Sequence, residues 1–288
     1  MRLDGRRESN NVEDRRGMSG GAKAGIGGIG GIILIAIMTF LGGGDLGDVI
    51  NNVAEQGMTE QVATDGSYTP SAEEEELASF TKKVLASTED IWTRVFQEQG
   101  LGEYRAPTLV LCSGHVNTAC GAAQMEQVGP FYCSGDEKLY IDLSFMSSMQ
   151  QQFGTAGDFA YAYVVAHEVG HHVQHLMGHL HQRNKYFPNE TENQTSVRTE
   201  LQADFLAGVW GYNENKIFSS LEDGDIEEAI AIAAQIGDDR LQKRYQGRVD
   251  EDAFTHGSAK QRQKWLYKGL SSGKVSDGNT YAVPYNDL

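Results

Sequence analysis

AYVVAHEVGHHVQHLM, residues 162–177, is the stretch on which the reading turns. The apolar run Val164, Val165 and Ala166 reads as part of a buried helix. Inside it lies His167-Glu168-Val169-Gly170-His171, an HExxH. Positions i and i+4 of a helix share one face, a turn apart. His167 and His171 can therefore aim two imidazoles at a single metal ion. Glu168, next to the first of them, can reach a water on that metal and suits a general base. A merely His-rich helix competes with this reading, because His172, His175, His179 and His181 follow. Buried imidazoles flanking a carboxylate are, however, hard to satisfy without a metal.

A tetrahedral catalytic zinc needs a third protein ligand and one open position. The HExxHxxGxxH form requires Gly at 174 and His at 177, where this chain has Gln174 and Met177. The inverted HxxEH form is absent. The form that remains draws a Glu from a later helix. Thr199 to Gly211 reads TELQADFLAGVWG. Glu200 and Asp204 are four apart and share a face. Glu200 is the natural third ligand. Asp204 is placed to accept a hydrogen bond from the far nitrogen of a ligand histidine. Ala203, Ala207 and Gly208 are small enough for close packing on the HExxH helix. An exposed acidic face is the alternative, but Leu201, Phe205, Leu206, Val209 and Trp210 argue for burial. His172 points about 100° away from His171 and reads as structural. His175 fits a tetrahedron poorly. His256, on the Gly-containing turn Phe254-Thr-His-Gly-Ser258, keeps three roles open: oxyanion donor, reversible fourth ligand, or surface histidine.

The rest of the domain reads as α+β. Leu77 to Gln99 has the apolar spacing of an amphipathic helix ending at Gly100. Thr108–Cys112 and Lys138–Leu143 read as strands, and the latter as an edge for an extended peptide. From about Phe159 the pattern is helical. Cys112, Cys120 and Cys133 permit three disulfide pairings, of which Cys120 with Cys133 is favoured, and also no pairing at all.

The chain has 288 residues, 24 Lys plus Arg and 40 Asp plus Glu, for a net charge of −16. That excess of carboxylates argues against nucleic-acid binding, which rests on cations at phosphates. Three cysteines are too few for a disulfide-dense scaffold. Residues 1–23 are polar and carry most of the early Arg residues. Ala24–Leu41 is 18 residues without a charge, about 27 Å as a helix, enough for a bilayer core. With the basic residues before it, the expected topology is single-pass in the cell membrane with a cytoplasmic N-terminus. A cleaved signal peptide and a buried Gly-rich helix are the alternatives. Gly27 and Gly31 form a GxxxG that could pair copies of the chain. The expected organisation is a cytoplasmic tail (1–23), an anchor (24–44), an acidic linker (45–76) and a domain (77–288) that is periplasmic or extracellular.

HEVGHHVQ, ELQADFLAGVW, GPFYCSGDEKLYIDLSF, IGDDRLQ (236–242) and FTHGSAKQR together resemble the bacterial neutral zinc metallopeptidase family, as does the opening MRLDGRRESNNVEDRRG. The resemblance covers most of the chain outside the acidic linker. It implies a zincin-type domain in a membrane-anchored enzyme with one zinc per chain. The E-x-x-A-D arrangement is also similar to that of CaaX-prenyl-protease-like membrane zincins, which implies Glu200 as third ligand. Their Thr-His-Pro…Arg element would match Thr255, His256 and Arg262, with Gly257 in place of Pro. The expected function is a zinc metalloendopeptidase acting on peptide or protein substrates: a zinc-bound water attacks, Glu168 is the general base, and His256 assists. The alternative is an inactive zinc-binding scaffold that holds a partner in its cleft.

Overall fold

The computed structural model describes residues 1–17, 68–153, 157–180 and 183–288. The apolar run Ala24–Leu41, with Gly27 and Gly31, lies outside them, as do residues 45–67 of the acidic stretch. Among the described residues no helix is long and apolar enough to cross a membrane.

The architecture is α+β, as expected. Strand β1 (Val12–Asp14) precedes helix α1 (Ala72–Gln99). Strands β2 (Thr108–Leu111), β3 (His115–Thr118) and β4 (Gly121–Gln124) follow, then a one-turn helix α2 (Met125–Val128). Next come β5 (Phe131–Cys133), β6 (Lys138–Ile141) and helix α3 (Leu143–Phe153). The remainder is helical: α4 (Asp158–Leu176), α5 (Glu192–Phe218), α6 (Asp225–Gln235), α7 (Asp238–Gln246) and α8 (Ala259–Ser272).

The main sheet has the order β1-β2-β6-β5, with β1, β2 and β6 parallel and β5 antiparallel to β6. This corrects one expectation. The Lys138–Leu143 strand is not an edge, because Leu139 pairs with Leu109 on one side and Tyr132 on the other. The edges are β1 and, on the other side, β5. The three residues of β5 are all buried, which a period-two reading of the region could not reveal. Cys133 of β5 is bonded to Cys120, which sits in the β3–β4 turn, and Cys112 is free and buried. The favoured pairing is therefore the one present, and it ties the hairpin to the edge strand over a small apolar cluster of Val110, Val116, Met125 and Phe131.

Helix α4 carries the HExxH through the middle of the main core. Every residue from Phe159 to Gln174 is buried. A helix buried on all sides must be apolar on all sides except where its polar groups find partners. Helix α5 crosses it where Gly170 faces Ala203: a Cβ on Gly170 would lie 2.9 Å from the Ala203 carbonyl oxygen. Ala203 thus gives the close packing expected of it. Gly208 serves a different contact, against Gly269 of α8.

The N-terminal boundaries need correcting. Residues 1–17 are not a separate tail. Strand β1 extends the main sheet, with Val12 opposite Leu109, and Met1 and Leu3 are buried in the core. The Met1 amine donates to Asp225 Oδ1 at 3.0 Å, and Arg6 to the buried Glu214 at 2.8 Å. Arg16 bridges Asp14 at 2.6 Å and Glu75 at 2.8 Å. Helix α1 starts five residues before the expected Leu77, capped by the Ser71 hydroxyl, which accepts from the Glu74 amide. The acidic run Glu73–Glu75 is its first turn rather than a linker, since carboxylates complement the partial positive charge there.

The buried Met1 amine makes a direct prediction. A Gly-Ser extension before Met1 replaces the charge with an amide and leaves Asp225 without its counter-ion. Breaking a buried pair from one side costs about 3 kcal/mol. The melting temperature should fall by roughly 6–12 °C. An unchanged melting curve would show that Met1 is not clamped.

Candidate metal centre

His167 and His171 sit one turn apart with ring centroids 4.9 Å apart and planes at 89°. Glu200 of α5 faces both: its Oε2 lies 3.2 Å from His167 Nε2 and its Oε1 3.4 Å from His171 Nε2. Bonds of about 2.0–2.1 Å in a tetrahedron put donor atoms about 3.3 Å apart. The spacing therefore fits one zinc ion. Among the described residues these three are the one group with donor atoms all within 4.8 Å of one another.

The protonation pattern fits as well. His167 Nδ1 lies 2.9 Å from Asp204 Oδ1, and His171 Nδ1 lies 2.8 Å from Gln174 Oε1. Both acceptors are oxygens, so each Nδ1 carries a hydrogen and each Nε2 is the atom left to ligate a metal. The Gln174 amide is oriented by its own NH2, which donates to the Thr199 carbonyl at 2.8 Å and to Gln202 at 3.1 Å. Two atoms are left over. His171 Nε2 and Glu168 Oε2 are buried and have no hydrogen-bond partner. Orphans of this kind are costly in a protein interior, and a bound cation would satisfy the first directly.

Asp204 anchors a second layer. It accepts from the Tyr163 hydroxyl at 2.5 Å and from Arg262 through a fork, Nε to Oδ2 at 2.8 Å and Nη2 to Oδ1 at 2.9 Å. Burial alone would raise the Asp204 carboxyl, but Arg262 and His167 outweigh it and hold it at about 2. Burial disfavours a charged His167, yet the Asp204 and Glu200 carboxylates win and raise it to about 10. Glu200 is held well below the usual carboxylate range by the two imidazoles, against the cost of burial. Glu168 differs. Burial pushes it upward, the imidazoles of His171 and His167 draw it partly back, and the Tyr132 amide of β5 donates to it.

The remaining histidines sort themselves. His172 is bonded to the Tyr132 hydroxyl at 2.9 Å and the Arg105 carbonyl at 2.6 Å, and burial lowers it to about 4. It is structural, as expected. His175 lies 3.4 Å from Glu137, away from the centre. His256 is buried rather than on the surface, and it stands outside the ligand group. Its turn differs from a Thr-His-Pro turn for a visible reason: Gly257 has φ +94°, which a proline ring forbids.

Sequence reasoning missed Gln174 and Tyr163. Their spacing from His171 and His167, three and four residues, was the available signal. It also gave no role to Asp238, which is remote in sequence from everything it holds.

The family described as "Putative neutral zinc metallopeptidase" matches residues 1–281. The chain belongs to this family. It is 45% identical over 294 residues to the "uncharacterized protein YpfJ" of Escherichia coli K12, covering 98% of this chain and 99% of that one. It is 39% identical over 190 residues to the "uncharacterized protein Rv2575" of Mycobacterium tuberculosis, covering 62% and 64%. No solved structure matches. The family match includes residues 1–17, in keeping with their place in the sheet.

Zinc must displace the proton that the carboxylates hold on His167. Protons therefore compete, and affinity should rise with pH by about tenfold per unit for each proton released. Asp204→Asn removes the carboxylate behind His167 and should weaken zinc by about 10–100-fold. Competition with a chelator at pH 6 and pH 7.5 measures both effects.

Proposed function

We propose that the protein is a zinc-dependent endopeptidase, with one zinc per chain held by His167, His171 and Glu200. The observation that carries the reading is Glu168. It is a buried carboxylate with one oxygen unpartnered, beside the ligand group. A site that only stores a metal has no use for it. A bound zinc would polarise the scissile carbonyl and acidify a water. Glu168 then takes the proton and returns it to the leaving amine. Its raised carboxyl makes holding that proton less costly. Asp204, with Tyr163 and Arg262 behind it, keeps His167 in its ligand tautomer, and Gln174 does the same for His171. Strand β5 lies beside the site through the Tyr132–Glu168 bond, and its outer side has no strand partner among the described residues. An extended substrate would pair there.

The competing reading is a zinc-holding scaffold without catalysis. Hydrolysis of an unfolded protein separates the two. Glu168→Gln should keep one zinc per chain and lose about 10³-fold in kcat/KM. Full activity in that variant, or an inert wild-type zinc form, would sink the peptidase reading.

For the membrane, we propose that residues 1–17 and 68–288 share one side. Arg16 pairs with Glu75 across the excursion, and β1 pairs with β2. A single crossing by Ala24–Leu41 would put a bilayer between these partners. Cysteines placed at the exposed Asn10 and Tyr267 should therefore react from the same side with a membrane-impermeant maleimide. Labelling from opposite sides would restore the single-pass topology.

A further inference from the structure

His256 lies one residue before a close contact with the turn that carries Glu200. A Cβ on Gly257 would meet Leu201 Cδ2 at 3.2 Å and Val197 Cγ1 at 3.3 Å. His256 is only 4% exposed. Its Nδ1 is committed to the Thr255 hydroxyl at 2.9 Å and to Asp238 at 3.1 Å.

What holds it there is the other motif, Gly237-Asp238-Asp239. Asp238 Oδ2 accepts the backbone N–H groups of Thr255 at 2.8 Å, His256 at 2.7 Å and Gly257 at 3.0 Å. Its Oδ1, at 3.1 Å, shares the Nδ1–H of His256 with the Thr255 hydroxyl oxygen at 2.9 Å. The Asp238 amide in turn donates to the Gly257 carbonyl at 2.9 Å. Asp239 accepts the Ala259 amide at 2.6 Å. Gly237 allows the approach, since any Cβ there would collide with the Ala259 backbone. The preceding carbonyl, Ile236, accepts from Arg262, the residue that also clamps Asp204.

We propose that Asp238 is a positioning residue of the reaction. It locks His256 with the hydrogen on Nδ1 and so leaves Nε2 for the reacting groups beside Glu200, on which His256 already acts electrostatically. One carboxylate spends four acceptor contacts on one turn, far more than a loop anchor needs. A carboxylate accepts only, so it dictates the tautomer. The proposal rests on the peptidase reading for its kinetic consequence, but not for its structural one.

The test is Asp238→Asn in the full chain. The asparagine oxygen can still take the backbone donors, while its NH2 faces Nδ1 and drives the hydrogen to Nε2. Nitrogen-15 NMR of labelled histidines should show that exchange at His256. Asp239→Asn, which touches the same loop but not the ring, should leave the His256 tautomer alone. Zinc content should remain at about one per chain in Asp238→Asn, as the ligands are untouched. With zinc present, kcat should fall about 100-fold with KM little changed. In combination with His256→Gln, the Asp238→Asn change should cost almost nothing further. An unaltered tautomer, or losses that add in full in the double variant, would overturn the assignment. A wild type without any hydrolysis would overturn the peptidase reading, and the tautomer result would then decide the role of Asp238.

Discussion

The crossing of α4 and α5 at Gly170 and Ala203 is the constraint on which the site depends. A hydrogen in place of a side chain at 170 lets the two helices approach to backbone contact. At that separation the short reach of Glu200 spans the gap to both histidines, and Asp204, one turn on, meets the back of His167. Even one methyl group there would press on the Ala203 carbonyl and push these oxygens outward. A second crossing, Gly208 against Gly269, brings α8 in behind and delivers Arg262 to Asp204. The order His167, Asp204, Arg262 is thus a product of two small-residue contacts.

Burying this much charge is tolerable only because it is layered. Glu200 and Asp204 are carboxylates inside the core, and each would be prohibitive alone. Arg262 neutralises one through a planar fork. Without metal, the His167 proton shared with Asp204 and Glu200 offsets the other. The arrangement remains unfinished, since His171 Nε2 and Glu168 Oε2 have no hydrogen-bond partners. A divalent cation would complete it, in keeping with the family match. Asp238 repeats the logic one shell out, where a buried carboxylate is balanced by three backbone N–H groups and an imidazole.

The N-terminus is integral to the same body. Its strand lies parallel to β2, and a parallel pair needs a long connection, to which helix α1 contributes. The arginines that suggested an orientation signal are engaged within the domain: Arg6 with Glu214, Arg7 with Glu89 and Asp90, Arg16 with Asp14 and Glu75. Charge counting along a sequence cannot tell a cation that faces lipid headgroups from one folded onto a carboxylate 59 residues away.

The local elements were legible because local physics specifies them. The i, i+4 spacing of His167 and His171, and of Glu200 and Asp204, follows from helix pitch alone, and the apolar flanks said that both pairs are buried. The α+β class and the pairing of Cys120 with Cys133 were also within reach of pattern and chemistry. Which strands form the edges, where residues 1–17 go, which helix Gly208 packs against and what Asp238 holds were decided only in three dimensions. Each depends on partners far apart in the chain, and no short window of residues carries the energy of such a contact.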